Sequence, residues 1–266
     1  MGSSAKGSDE LTVLITGFAP FKSGFPINPS FEITRGLPDY LPKPSAKTKN
    51  PGPALPRVRL LVHPDPIKVC YTTVRKIVPE LWHLDEDTRE AENADDDEEG
   101  TERKPKIDIA IHIGMAGPDP HYSIERRGHR DGYAMRDVEG EFLKDPQRRA
   151  REGKDWIWDG MPLELLTDLD LDDVLTRWQA NSPPGHNLRV SEDAGRYLCD
   201  FLYFSSLAHL TKAKQPRKVV FLHVPCDPSE QSITTGRELL LQLVRSLAQS
   251  EVTRAEKMQA HTKGKR

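Results

Sequence analysis

Three residues far apart in the chain, Cys199, His223 and Glu125, have the types that nucleophilic cysteine chemistry needs. A thiol attacks as its thiolate, so it requires a base within hydrogen-bonding reach, and an imidazole base works best when a carboxylate fixes its tautomer. Cys199 falls in Asp193–Phe204 (DAGRYLCDFLYF), which reads as a helix capped by Asp193. The sulfur would then lie in the second turn, close enough to the positive helix end for some thiolate stabilisation. His223 ends the run Lys218–Val224 (KVVFLHV), a buried strand stopped by Pro225, and Glu125 follows the loop after the run Ile107–Ile113. Both positions match the carboxyl ends of strands, where open α/β sheets carry their ligand crevice. Taken singly, each residue also has a plainer reading. A buried cysteine serves as a small hydrophobe, a histidine is satisfied in a core or at a surface, and a glutamate beside Arg126 and Arg127 is an ion-pair partner.

The elements that must position these groups alternate between strand and helix. Leu11–Thr16 is a continuous aliphatic and β-branched run ending at Gly17, as expected for a strand buried on both faces. Val58–Val62 reads as a second strand, Thr72–Trp82 as an amphipathic helix, and Ile107–Ile113 as a third strand. Helices are predicted over Leu163–Trp178, from Asp193 to about Leu210, and near Gly236–Ser250. Between them lie a proline-rich loop from Pro38 to Pro56 and a charged surface excursion from Glu139 to Asp155. The pattern predicts an α/β fold, a single-domain three-layer α/β/α sandwich around a mostly parallel, mixed sheet. Its bounds are a flexible N-terminus at 1–10, the α/β domain at 11–250 and a basic C-terminal tail at 251–266. Residues 85–105 read as a disordered acidic insertion within the domain, because a like-charged segment with so little apolar surface cannot offset the entropy of ordering.

Composition narrows the function. The window Asp85–Glu102 holds eleven acidic residues and one arginine, a net −10, so the remainder of a chain of net charge −3 carries about +7. Part of that positive charge lies in the C-terminal stretch, which reads as a frayed tail rather than a nucleic-acid surface. Three cysteines, Cys70, Cys199 and Cys226, lack the spacings of a zinc site or a disulfide framework and suit a reducing, cytoplasmic setting. The opening MGSSAKGSDE is polar, and no apolar run reaches membrane-spanning length, so neither a signal peptide nor a membrane partner is expected. Lys6 stands where a myristoylation motif wants Ser or Thr. Gly114-Met-Ala-Gly117 lacks the third glycine of a dinucleotide fingerprint, and Gly17-Phe-Ala-Pro is too bulky to cradle a pyrophosphate. No cofactor and no metal are expected.

Taken together, four blocks resemble the pyroglutamyl peptidase type I family, in the family's order. Residues 14–30 (LITGFAPFKSGFPINPS) are similar to its opening Gly-Phe-x-Pro-Phe loop and Asn-x-Ser, with one residue inserted before Asn28. Residues 111–133 (IHIGMAGPDPHYSIERRGHRDGY) resemble its catalytic-glutamate segment, residues 191–204 (SEDAGRYLCDFLYF) its nucleophile helix in the animal form, and residues 220–225 (VFLHVP) its histidine strand. The resemblance covers most of the chain from Leu11 to about Ser250.

The resemblance implies a cysteine peptidase that removes an N-terminal pyroglutamyl residue from peptides through a thioester. Cys199 would be the nucleophile, His223 its base and Glu125 the group that orients the histidine. Phe18 and Phe21 would wall the substrate pocket, with Asn28 as its polar neighbour and Met115, Tyr197 and Leu198 completing the lining. Met115 stands where bacterial members carry Gln, as in apolar animal-type members, and Arg136 lies one residue away from the register of a bacterial arginine. The partners expected are pyroglutamylated peptides, with no nucleic acid and no membrane; the reading is compatible with a homo-oligomer. Two rival readings are a non-catalytic binder of capped peptides and a thiol amidohydrolase for a different N-terminal cap.

Overall fold

Sheet register decides which side chains meet. The computed structural model describes residues 10–21, 25–44, 52–82, 106–117 and 120–263. Its main sheet contains β1 (Glu10–Gly17), β2 (Arg57–Val62), β3 (Ile109–Met115), β4 (His121–Glu125), β7 (Asn187–Ser191) and β8 (Val219–Val224), in the order β2-β1-β3-β8-β4-β7. Neighbours are parallel throughout except β4 against β8, so the sheet is mixed. A second, two-stranded sheet pairs β5 (Arg127–His129) with β6 (Glu164–Leu166), antiparallel.

The α-helices among the described residues are α1 (Pro29–Thr34), α2 (Tyr71–Trp82), α3 (Asp145–Glu152), α4 (Leu171–Asn181), α5 (Leu198–Lys212) and α6 (Glu230–Lys263). Continuous apolar strands β1, β3 and β8 are buried on both faces, as a sheet covered on each side requires. One face packs Val13, Ile15, Ile111 and Leu222 against Val174, Trp178, Leu243 and Leu247 of α4 and α6. The other packs Leu14, Ala110 and Phe221 against Val74 and Val78 of α2 and Phe201, Phe204 and Leu207 of α5. This is the three-layer arrangement expected. Among the described residues no helix is long and apolar enough to cross a membrane.

Several elements differ from the sequence reading. Leu163–Trp178 is not one helix: Glu164–Leu166 pairs with β5, and α4 starts after Asp170, whose side chain accepts from Asp173 N at 3.1 Å. The helix expected from Asp193 starts only at Leu198, after the strand β7 and a loop. Asp193 instead accepts from Gly195 N at 3.0 Å, and Gly195 has φ +84°, a left-handed turn that breaks the helix. The third strand is displaced to Ile109–Met115 and carries Gly114 and Met115 within it. The charged excursion 139–155 contains α3 and a single 3-10 turn, tied down by the Arg75–Asp145 ion pair. The final helix runs well beyond the expected 236–250, so 251–263 continues it rather than fraying as a tail. Of the flexible terminus expected at 1–10, Glu10 belongs to β1 and residues 1–9 lie outside the described residues, as does the acidic insertion expected at 85–105.

Candidate active site

The site is assembled on the face that carries α2 and α5. In the antiparallel β4–β8 ladder Ser123 pairs with His223 and Glu125 with Phe221. Alternation then points Ser123, Glu125, His223 and Phe221 to one face, with His223 diagonal to Glu125. The parallel β3–β8 ladder sets Gly114 opposite His223 on the other side. Thus one imidazole is flanked by a carboxylate and by a residue with no side chain.

His223 Nδ1 lies 2.8 Å from Glu125 Oε1, and both residues are buried. Ser123 Oγ donates to the same Glu125 oxygen at 3.1 Å. Glu125 Oε2 is buried with no hydrogen-bond partner among the described residues. Tyr203 of α5 fixes the strand end by donating its hydroxyl to Glu125 O at 2.8 Å. With Nδ1 on Glu125, Nε2 is the ring nitrogen left to serve Cys199. Burial opposes the imidazolium, but hydrogen bonds and charge from Cys199 and Glu125 outweigh it and raise His223 to about 10. The ring is therefore held protonated at neutral pH.

Cys199 is the second residue of α5, so it lies in the first turn rather than the second. It gains more from the helix end than the sequence reading allowed. Tyr197 caps the helix without a side-chain hydrogen bond, which leaves first-turn N–H groups available near the sulfur. The sulfur is seated directly over Gly114: a Cβ there would stand 2.8 Å from Cys199 Sγ and 2.8 Å from Phe221 Cζ. An alanine at 114 has no room. In the sequence Gly114 shows only as part of Gly114-Met-Ala-Gly117 and of the block 111–133.

The remaining expected site residues divide into two groups. Phe21 and Tyr197 are half-buried, with ring centroids 6.3 Å apart, and both pack on the core beside Cys199. Phe21 also stacks on Phe25 at 6.2 Å. Met115 follows Gly114 at the end of β3 and is half-buried opposite Val224. Phe18 and Leu198, by contrast, are fully buried beneath this surface. Both belong to the apolar cluster on the α2 and α5 face of the sheet. Asn28 is buried and caps α1; it donates to Ala19 O at 3.0 Å and accepts from Ser30 N and Ser30 Oγ at 3.1 and 2.8 Å. Its amide holds the loop that carries Phe18 and Phe21. Arg136 directs its guanidinium to Gly140 O at 2.6 Å and over the Phe142 ring, while its own carbonyl accepts from Tyr197 OH at 3.1 Å.

A cavity of about 560 Å³ opens at the β2 edge among Phe31, Arg35, Tyr40, Arg59 and His63, and none of the residues above lines it. The convergence of reactive groups, rather than cavity size, marks the site. Among the described residues no group of three or more His, Cys, Asp or Glu side chains could hold a metal.

Comparison with known proteins places the chain among peptidases of one kind. A family model described as pyroglutamyl peptidase matches residues 90–257. The human pyroglutamyl-peptidase 1 is 27% identical over 164 residues, 62% of each chain. The match thus spans less than two thirds of that relative's length. A pyrrolidone-carboxylate peptidase of Bacillus cereus is 28% identical over 227 residues, 85% of this chain and 83% of its own. Among solved structures, a mutant pyrrolidone carboxyl peptidase from Pyrococcus furiosus aligns with a TM-score of 0.59 and 23% identity, over 91% of this chain and 100% of that one. The pyroglutamyl peptidase I of Bacillus amyloliquefaciens aligns with a TM-score of 0.60 and 21% identity, over 90% and 97%. At such identities the structural likeness concerns the fold.

Proposed function

This chain belongs to the pyroglutamyl peptidase family, and from the geometry of its site we propose that it is a cysteine peptidase that removes the N-terminal pyroglutamyl residue from peptides. The observation that carries the reading is that His223 Nδ1 bonds Glu125 Oε1 while Cys199 Sγ sits over Gly114, the residue paired with His223 across the β3–β8 ladder. Cys199 is the nucleophile, His223 the proton carrier and Glu125 the group that orients the ring. An imidazolium against Sγ supplies the positive charge a thiolate requires.

The thiolate adds to the pyroglutamyl carbonyl carbon, and first-turn N–H groups of α5 receive the negative oxygen. His223 gives its proton to the departing amine as the C–N bond breaks, leaving a thioester on Cys199. His223 then takes a proton from water, whose oxygen attacks the thioester; pyroglutamate leaves and the proton returns to the thiolate–imidazole pair. Glu125 keeps Nδ1–H occupied throughout, so that Nε2 always faces the reaction.

Pyroglutamate is a neutral lactam, and a wall of Phe21, Tyr197 and Met115 suits it better than a carboxylate would. Phe18 and Leu198 back this wall, and Asn28 acts on the substrate through the loop it staples. A free N-terminal ammonium would lose its hydration there without gaining a partner. The sparse, unpaired thiols support a cytoplasmic enzyme.

The direct test is release of a fluorophore from pyroglutamyl, prolyl and glutaminyl amides, with Cys199→Ala as control. Cysteine-dependent turnover of the pyroglutamyl amide alone is expected. Preference for either of the other two would refute the substrate assignment, and absence of any turnover would leave a binding protein.

A further inference from the structure

The residue immediately after the sulfur is a carboxylate that the chemistry above does not use. Asp200 has no exposed surface. Its two oxygens accept from His129 N at 3.2 and 3.3 Å, Oδ1 lies 3.1 Å from His129 Nδ1, and Oδ2 accepts from Tyr133 OH at 2.8 Å. Tyr133 Oη also reaches the carbonyl of His129, closing a compact polar knot. His129 ends β5, so the knot ties the first turn of α5 to the small second sheet.

One turn later the same two elements meet backbone to backbone. A Cβ on Gly128 would stand 2.9 Å from Phe204 N and 3.0 Å from Phe204 Cα. The first turn of α5 is therefore gripped on two sides, through Cys199 over Gly114 of β3 and through Asp200 against His129 of β5.

Stability does not account for a carboxylate here. Burial raises Asp200 to about 6, against the opposing pull of Tyr133, His129 and Arg196. Glu164 lies 3.8 Å from the far side of the His129 ring, Tyr203 feels the Asp200 charge from α5, and Arg75 of α2 acts on Tyr133. With the folded-state value above the unfolded one, the folded protein binds the proton more readily. Stability from this group is thus present below about pH 4 and lost as pH rises through about 6. At neutral pH the fold therefore holds the ionised carboxylate less favourably than its protonated form.

We propose that Asp200 is a positioning residue for Cys199: gripped by His129 and Tyr133, it fixes the rotation of the first turn of α5 so that Sγ stays over Gly114 within reach of His223. The inference rests on Cys199 as nucleophile. It does not depend on which amide is cleaved.

The test uses the full chain with Asp200→Ala, Asp200→Asn and Tyr133→Phe. Alkylation of Cys199 by iodoacetamide, located by mass, is measured beside kcat and KM on a pyroglutamyl amide. Asp200→Ala should slow both alkylation and kcat by about 10- to 100-fold, with KM within about threefold of wild type. Asp200→Asn, whose one oxygen still accepts from His129 N and whose amide N–H donates to Tyr133 Oη, should recover both rates to within about threefold, with no loss of thermal stability at pH 7.5. Tyr133→Phe removes one hydroxyl and should slow alkylation severalfold, which keeps the proposal testable if the alanine variant does not fold. Wild-type alkylation rates in folded Asp200→Ala or Tyr133→Phe would overturn the proposal, as would a loss confined to KM or unrelieved by asparagine. If the wild type cleaved no pyroglutamyl amide, the alkylation rates would still read the positioning, and the substrate reading alone would fall.

Discussion

The two halves of the site are built by different means. His223 and Glu125 are set by strand register: two residues apart on β4, Ser123 and Glu125 face the same way, and the β8 ladder brings His223 alongside both. Cys199 has no ladder to place it. It rides on the first turn of a helix, held by a missing side chain at Gly114 and a buried carboxylate at Asp200. The ladder half tolerates neighbouring changes because backbone hydrogen bonds fix it, whereas the helix half depends on a few contacts each of which a single substitution removes.

The largest expected effect breaks the ladder half at its charge. Glu125→Gln preserves shape but cannot stabilise the imidazolium, and should lower kcat about 10²- to 10⁴-fold with little change in KM. It should also change the pH profile. His223 is raised to about 10 by Cys199 and Glu125, so the stability from this pairing is complete below about pH 6.5 and lost as pH rises through about 10. In Glu125→Gln the alkaline limit of kcat/KM should move to lower pH, and an unchanged limit would show that Glu125 does not act on His223.

A smaller effect probes the helix half. Gly114→Ala places a methyl group 2.8 Å from Cys199 Sγ and should reduce kcat about 10- to 100-fold while the protein stays folded. Full activity in a folded Gly114→Ala enzyme would mean that α5 can shift freely, and the contrast between the halves would vanish. The core under α5 should register in stability instead. Trp158 packs on Phe204 with ring centroids 4.7 Å apart and beneath the Arg75 guanidinium, so Trp158→Ala should cost about 3–5 kcal/mol in denaturant unfolding. The smallest effect is that of Ser123→Ala, which removes one hydrogen bond to Glu125. A loss of about 1 kcal/mol, or roughly fivefold in kcat, is expected, and an unchanged rate would leave Ser123 as packing only.

The same contrast governs what the sequence could reveal. Long apolar strands such as Leu11–Thr16 and Lys218–Val224 were legible because a strand covered on both faces has no choice of residue, and His223 was legible with them. The short strands His121–Glu125 and Asn187–Ser191 mix polar and apolar residues and gave no such signal, so Glu125 was assigned to a loop end rather than to its own strand. Asp193 has the chemistry of a helix cap, yet the turn at Gly195 delays α5 to Leu198 and brings Cys199 into the first turn. The spacing of Leu166, Leu169, Val174 and Leu175 mimicked one helix, yet Leu166 is exposed on β6 and only Val174 and Leu175 belong to α4. The grip of Asp200 on His129 joins residues 71 positions apart and has no local signature. The candidate catalytic groups were readable as types and motifs, but the contacts around the sulfur were not.

Mixing the protein with a pyroglutamyl amide, quenching in acid within milliseconds to seconds and mapping the adduct by mass spectrometry tests the central claim most directly. A single pyroglutamyl acyl group on the peptide bearing Cys199, absent in Cys199→Ala and long-lived in His223→Ala if it forms there, is the expected result. Turnover with no acyl group on that peptide, or an acyl group on Cys70 or Cys226 instead, would contradict the account.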